Sequence, residues 1–81
     1  MSDIESRVSD IMLAKLRVRD PSLDRSDFDK SIYDLDLDSL DVVELTQILE
    51  RELKVRADRR EIANLMLLEE FRSYFVLLAT P

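Results

Sequence analysis

The chain has 81 residues, a net charge of −6, and no Cys, His or Gly. Lack of Cys and His excludes thiol catalysis, disulfide scaffolding, Ser-His-Asp chemistry and the usual zinc sites. Lack of Gly excludes the phosphate-cradling loops of P-loop and Rossmann type, and the acidic balance argues against nucleic acid or an anionic membrane as partner.

This length accommodates one domain, residues 1–81, which buries only about 60% of its unfolded surface and has no metal or disulfide staple. No apolar run approaches the ~20 residues of a membrane span, and no basic-plus-apolar leader opens the chain. The expected setting is cytoplasmic, and the expected form is a free-standing monomer.

The first helix is read in "SDIESRVSDIMLAKLRV", where Ile4, Val8, Ile11, Met12 and Leu16 recur at helical spacing. Ser2 and Glu5 have the spacing of a capping box, and Asp20-Pro21 must end the helix, because the residue before proline is pushed out of the α region. From Pro21 to Asp38 the chain reads as a long Ser/Asp-rich loop pinned to the core by Phe28, Ile32, Leu35 and Leu37. The second helix is expected over residues 39–53, with Leu40, Val43, Leu45, Ile48, Leu49 and Leu53 forming a broad apolar stripe. Asp38 is its N-cap, and Asp41 adds favourable negative charge to its first turn. A short third helix runs from the cap Asp58 to about Leu65. The last helix carries Leu68, Phe71, Phe75 and Leu78, although "EIANLMLLEEF" holds no strong breaker between these two. The expected fold is therefore all-α, a four-helix bundle with three longer helices, a short third one and a long first loop.

Charge is unevenly spread along this frame. Residues 20–44 hold nine acids and two bases, whereas residues 51–60 hold five bases and two acids. Such a field steers a basic partner towards Ser39 in a salt-sensitive way.

The acidic stretch matches several chemistries only in part. Asp34-x-Asp36-x-Asp38 opens like an EF-hand loop, but Ser39 stands at the glycine position and Leu45 at the position of the bidentate glutamate, so no metal site is assigned. Nothing marks an apolar pocket that would split the pKa values of a carboxylate pair, and a nucleophilic Ser39 would have only Lys30 or a carboxylate as base. No catalytic residue is assigned. A serine at a helix tip is better placed to be acted upon, since a phosphate ester there meets the unpaired N–H groups and the helix dipole, worth roughly 0.3–1 kcal/mol.

"LDLDSLDVVEL" resembles the attachment motif of acyl carrier proteins, in which a D-S-L triplet opens the second helix. The likeness continues in "IESRV", "ILERELKV" and "LLEEFRSYF", which resemble the first, second and last helices of that family. The resemblance implies that Ser39 receives 4′-phosphopantetheine from coenzyme A and that the chain is a non-catalytic carrier of acyl thioesters in fatty-acid, polyketide or related biosynthesis. It also implies that Asp38 and Leu40 are recognised by a phosphopantetheinyl transferase. Asp41, Glu44 and Glu50 would then meet basic patches on acyl-transferring, ketosynthase or reductase-type enzymes.

An acyl chain sheltered between helices would gain up to about 0.8 kcal/mol per buried CH₂, and helical phase nominates Val43, Leu49, Ile62 and Leu65 as its lining. The chain departs from the family pattern at Asp36, where glycine is usual, at Gln47, and at Arg51, Arg59 and Arg60. These departures point to a specialised carrier with its footprint on the first half of the helix. Two other readings stay open, an aminoacyl or peptidyl carrier and an unmodified helical interaction module.

Overall fold

Alternation of apolar and charged residues with helical period builds α1, Asp3–Arg19, which buries Val8, Met12, Leu13 and Leu16. A computed structural model describes residues 3–35 and 37–80. The expected cap Ser2 and the glycine-replacing Asp36 lie outside the described residues. After α1 come α2 (Ser39–Leu53), α3 (Arg59–Ala63) and α4 (Leu68–Ala79), so the described chain is the expected all-α arrangement of three longer helices and a short third. None of these helices is long and apolar enough to cross a membrane.

Helix α1 is the hub, packing on α4 along one side and on α2 along the other. The core between them contains Phe71 and Phe75, both fully buried, with ring centroids 5.3 Å apart.

The first connection is more ordered than its composition implies. It contains two 3-10 helices, Arg25–Asp29 and Ile32–Leu35, rather than a structureless loop. Asp24 and Asp27 cap the first of them, through Arg25 N–H to Asp24 Oδ1 (2.8 Å) and Asp24 N–H to Asp27 Oδ2 (3.0 Å). Phe28, Ile32 and Leu37 are buried anchors as expected, Leu35 is half-buried, and Leu23 is a further anchor. Arg72 of α4 lies over the Phe28 ring, 5.1 Å from its centroid.

The break between α3 and α4 comes from tertiary pairing. Ile32 N–H donates to the Met66 carbonyl (2.8 Å) and Leu68 N–H to the Lys30 carbonyl (3.3 Å), giving an isolated antiparallel bridge between Ser31 and Leu67. Leu67 at the start of α4 has no side-chain acceptor, so Glu70 supplies one from within the first turn. Its Oε1 accepts from Leu67 N–H (2.9 Å) and Met66 N–H (3.0 Å), which holds the Glu70 carboxyl below its usual pKa.

Without glycine, α2 must end on another residue. Lys54 takes the left-handed conformation, φ 56° and ψ 46°, and Val55 N–H donates to the Glu50 carbonyl at 3.1 Å. This is the Schellman geometry that normally uses glycine, because a Cβ in the left-handed region costs about 1–2 kcal/mol. Lys54→Gly is therefore expected to stabilise the fold by about 0.5–1 kcal/mol, the strain relief less the entropy that glycine adds to the unfolded chain. A urea denaturation midpoint measures it.

A candidate attachment site at the start of α2

The first turn of α2 is built by reciprocal capping. Asp41 N–H donates to Asp38 Oδ1 (2.9 Å), and Asp38 N–H donates to Asp41 Oδ2 (3.0 Å). Such a box satisfies two donors that a helix start otherwise leaves bare. The N–H groups of Ser39 and Leu40 have no acceptor among the described residues. Ser39, the first helical residue, is exposed, and so is Leu40, at 62%.

Asp41 is not on the partner-facing surface where the sequence reading put it. Its residue is only 9% exposed, because one turn of helix brings 41, 45 and 49 onto the buried face of α2. The carboxylate also receives Arg19 Nη2 at 2.8 Å, and the same guanidinium lies 3.6 Å from Asp38 Oδ2. The Asp38 N–H bond, followed by Arg19, holds the Asp41 carboxyl below its ordinary pKa against the opposing effect of burial. Arg19 thus ties the end of α1 to the tip of α2. Nothing local to Arg19 in the sequence signals this, because its partners lie 19 and 22 positions away.

The acidic field is correspondingly weaker than the count over residues 20–44 implies. Lys15, Arg17 and Arg19 come from outside that window, and they pair with Glu44 (3.2 Å), Asp24 (3.7 Å) and Asp41. Lys30 pairs with Asp27 and Arg25 with Asp10. Asp29 and Asp34 keep no ion pair among the described residues. Glu44 remains half-exposed beside Lys15. Glu50 Oε2 accepts from Ala57 N–H (2.8 Å), so this carboxylate fastens the connection between α2 and α3.

Beside Ser39 opens a cleft of about 680 Å³ between α2, the second 3-10 helix and α3. Helix α2 contributes a stripe of Ser39, Val42, Val43, Thr46, Gln47 and Glu50, which lies next to the buried Asp41-Leu45-Leu49 column. Ile62 and Leu65 add apolar lining from the chain after α2, and the exposed Arg56 and Arg59 border it too. Of the four residues nominated from helical phase, Val43, Ile62 and Leu65 line this cleft. Leu49 does not. It is fully buried in the core, one position out of phase with the Thr46/Glu50 stripe. The apolar stripe of α2 is narrower than expected, since Leu40 and Val43 (48% exposed) point outward. Thr46, Gln47 and Arg56 were missed as cleft residues because polar side chains interrupt the pattern. The i, i+3, i+4, i+7 spacing from Ser39 could have found the α2 members.

A family model described as "Phosphopantetheine attachment site" matches residues 6–74, from within α1 to the middle of α4. The chain belongs to this family. Searches of curated proteins and of solved structures give no match. Family members attach 4′-phosphopantetheine covalently, and the chain is a phosphopantetheine-carrying carrier protein. The first turn of α2 fits such a group: it offers an exposed hydroxyl, two unengaged N–H donors and an adjacent cleft.

Proposed function

We propose that the carrier bears its phosphopantetheine arm on Ser39 and presents acyl groups to a series of partner enzymes while performing no catalysis itself. When bound, the arm supplies a terminal thiol that holds acyl groups as thioesters. In priming by a phosphopantetheinyl transferase, the Ser39 oxygen forms a new bond to phosphorus as the pyrophosphate linkage of coenzyme A breaks. Adenosine 3′,5′-bisphosphate leaves, and the serine proton passes to the transferase. The Ser39 and Leu40 N–H groups would be the donors available to the resulting phosphodiester charge, and Arg19 offsets the nearby Asp38 and Asp41 carboxylates.

One observation carries this reading, namely that Ser39 is the exposed first residue of a helix whose cap is supplied by Asp38 and Asp41. The capping work is already done, so the serine hydroxyl is free for modification. Leu40 and Val43 beside it form an exposed apolar contact flanked by Asp38 and Glu44, a surface suited to brief, polar-rimmed encounters. With Gln47 and Arg51 further along α2, the footprint stays near its start. Generic fatty-acid-synthesis enzymes are expected to turn over acyl forms of this carrier more slowly than its dedicated partners do.

Incubation with a transferase and coenzyme A, followed by intact-mass measurement, tests the assignment. The wild type should gain one phosphopantetheinyl unit and Ser39→Ala none, with the variant's stability within about 0.5 kcal/mol of wild type. A wild type that stays unmodified supports an unmodified interaction module instead. A wild type that loads but is preferentially charged with amino acids supports an aminoacyl carrier.

A further inference from the structure

Five cations of α1 and the first connection (Lys15, Arg17, Arg19, Arg25 and Lys30) each hold a carboxylate. Arg56 and Arg59 hold none among the described residues, yet both border the cleft beside Ser39. Glu50 Oε2 accepts from Ala57 N–H at 2.8 Å, which places the Arg56-Ala57 backbone against the Glu50 end of α2. At 1.5 Å per residue, Glu50 lies about 16 Å along the helix from Ser39. The cleft therefore has an attachment end at Ser39, an apolar lining that includes Val42, Ile62 and Leu65, and Arg56 held towards the Glu50 end, while Arg59, three residues on, also borders it and neither arginine holds a carboxylate among the described residues.

Resting on the reading that Ser39 bears the arm, we propose that this cleft accepts acyl groups whose far end carries a carboxylate, in preference to plain alkyl chains. An alkyl chain long enough to fill the cleft would cover Gln47 and the arginines without offering them a partner, which is costly for polar groups. A carboxylate-terminated chain keeps the same apolar contacts in the middle and gives the guanidiniums an acceptor. The arm's own phosphate is the other anion available, but it is joined to Ser39, at the opposite end of α2 from Glu50.

The test loads the carrier from adipyl- and hexanoyl-coenzyme A, two six-carbon cargoes that differ in the distal carboxylate. Cleavage of each thioester by hydroxylamine is then timed relative to the same thioester of coenzyme A. The adipyl form should be protected about two- to fivefold more than the hexanoyl form, the range expected for solvent-exposed ion pairs. That ratio should fall to one in Arg56→Gln/Arg59→Gln and in 1 M salt. Equal protection of the two cargoes, or a ratio unchanged in the double variant, overturns the proposal. So does a ³¹P resonance of the cargo-free holo-carrier that moves in the double variant, because the arginines would then be holding the phosphate. These outcomes are distinct from failure of the Ser39 assignment, in which intact mass shows no acyl-phosphopantetheine on the protein at all.

Discussion

Asp41→Ala is expected to destabilise the protein by about 2–3 kcal/mol, a large fraction of the total for a chain of this size. The substitution removes the acceptor for Asp38 N–H and leaves Arg19 with only the longer contact to Asp38. The damage falls on the turn that presents Ser39, so priming should slow even under conditions where the variant is folded. Asp41→Asn separates charge from shape. Because the Asp41 carboxyl is held below its ordinary pKa in the folded state, its ionisation contributes stability above the unfolded value of about 3.9. That contribution is lost as pH falls below about 4 and through the folded value. Asp27 and Glu70, also held low by their hydrogen bonds, add to the same acid sensitivity. Urea titrations at several pH values should show wild-type stability dropping below pH 4 and the Asp41→Asn variant dropping less steeply. Parallel curves would mean that the Asp38 N–H bond and the Arg19 contact do not together favour the ionised Asp41 carboxylate in solution.

Phe71→Ala should cost more, about 3–5 kcal/mol. Its side chain is fully buried, it lies against Phe75, and it sits on the helix that packs along α1. In a domain whose whole stability is roughly 4–12 kcal/mol, that loss brings the protein close to unfolding at room temperature. Leu77, on the same helix but 75% exposed, provides the comparison, and Leu77→Ala should stay within about 0.5 kcal/mol of wild type. Circular dichroism against urea measures both. A Phe71→Ala variant no weaker than Leu77→Ala would contradict the assignment of the core.

These contrasts also show what local sequence can reveal. The helical stripes of α1 and α4, the Asp38 cap and the stop before Pro21 follow from nearest-neighbour rules, so they were legible. The two 3-10 helices were less so, because short serines and aspartates serve equally in loops and caps. The stop after α3 depends on Ile32 and Lys30 pairing with Met66 and Leu68, which no window around Asn64 contains. At the site, the position of Ser39 on α2 was readable from its motif. The inward turn of Asp41 was not, because its decisive partner Arg19 sits on another helix. Leu49 was assigned to the wrong wall for a related reason. A single residue of helical phase separates the core column from the cleft stripe, and apolar character alone does not distinguish them.

Tandem mass spectrometry of the primed carrier after trypsin is the most direct measurement of where the arm sits. Cleavage at Lys30 and Arg51 releases residues 31–51, a peptide that holds Ser31, Tyr33 and Thr46 as well as Ser39. Fragment ions should place a single phosphopantetheinyl group on Ser39. An adduct on any of the other three hydroxyls, or a peptide that stays unmodified after complete exposure to transferase and coenzyme A, would contradict the account.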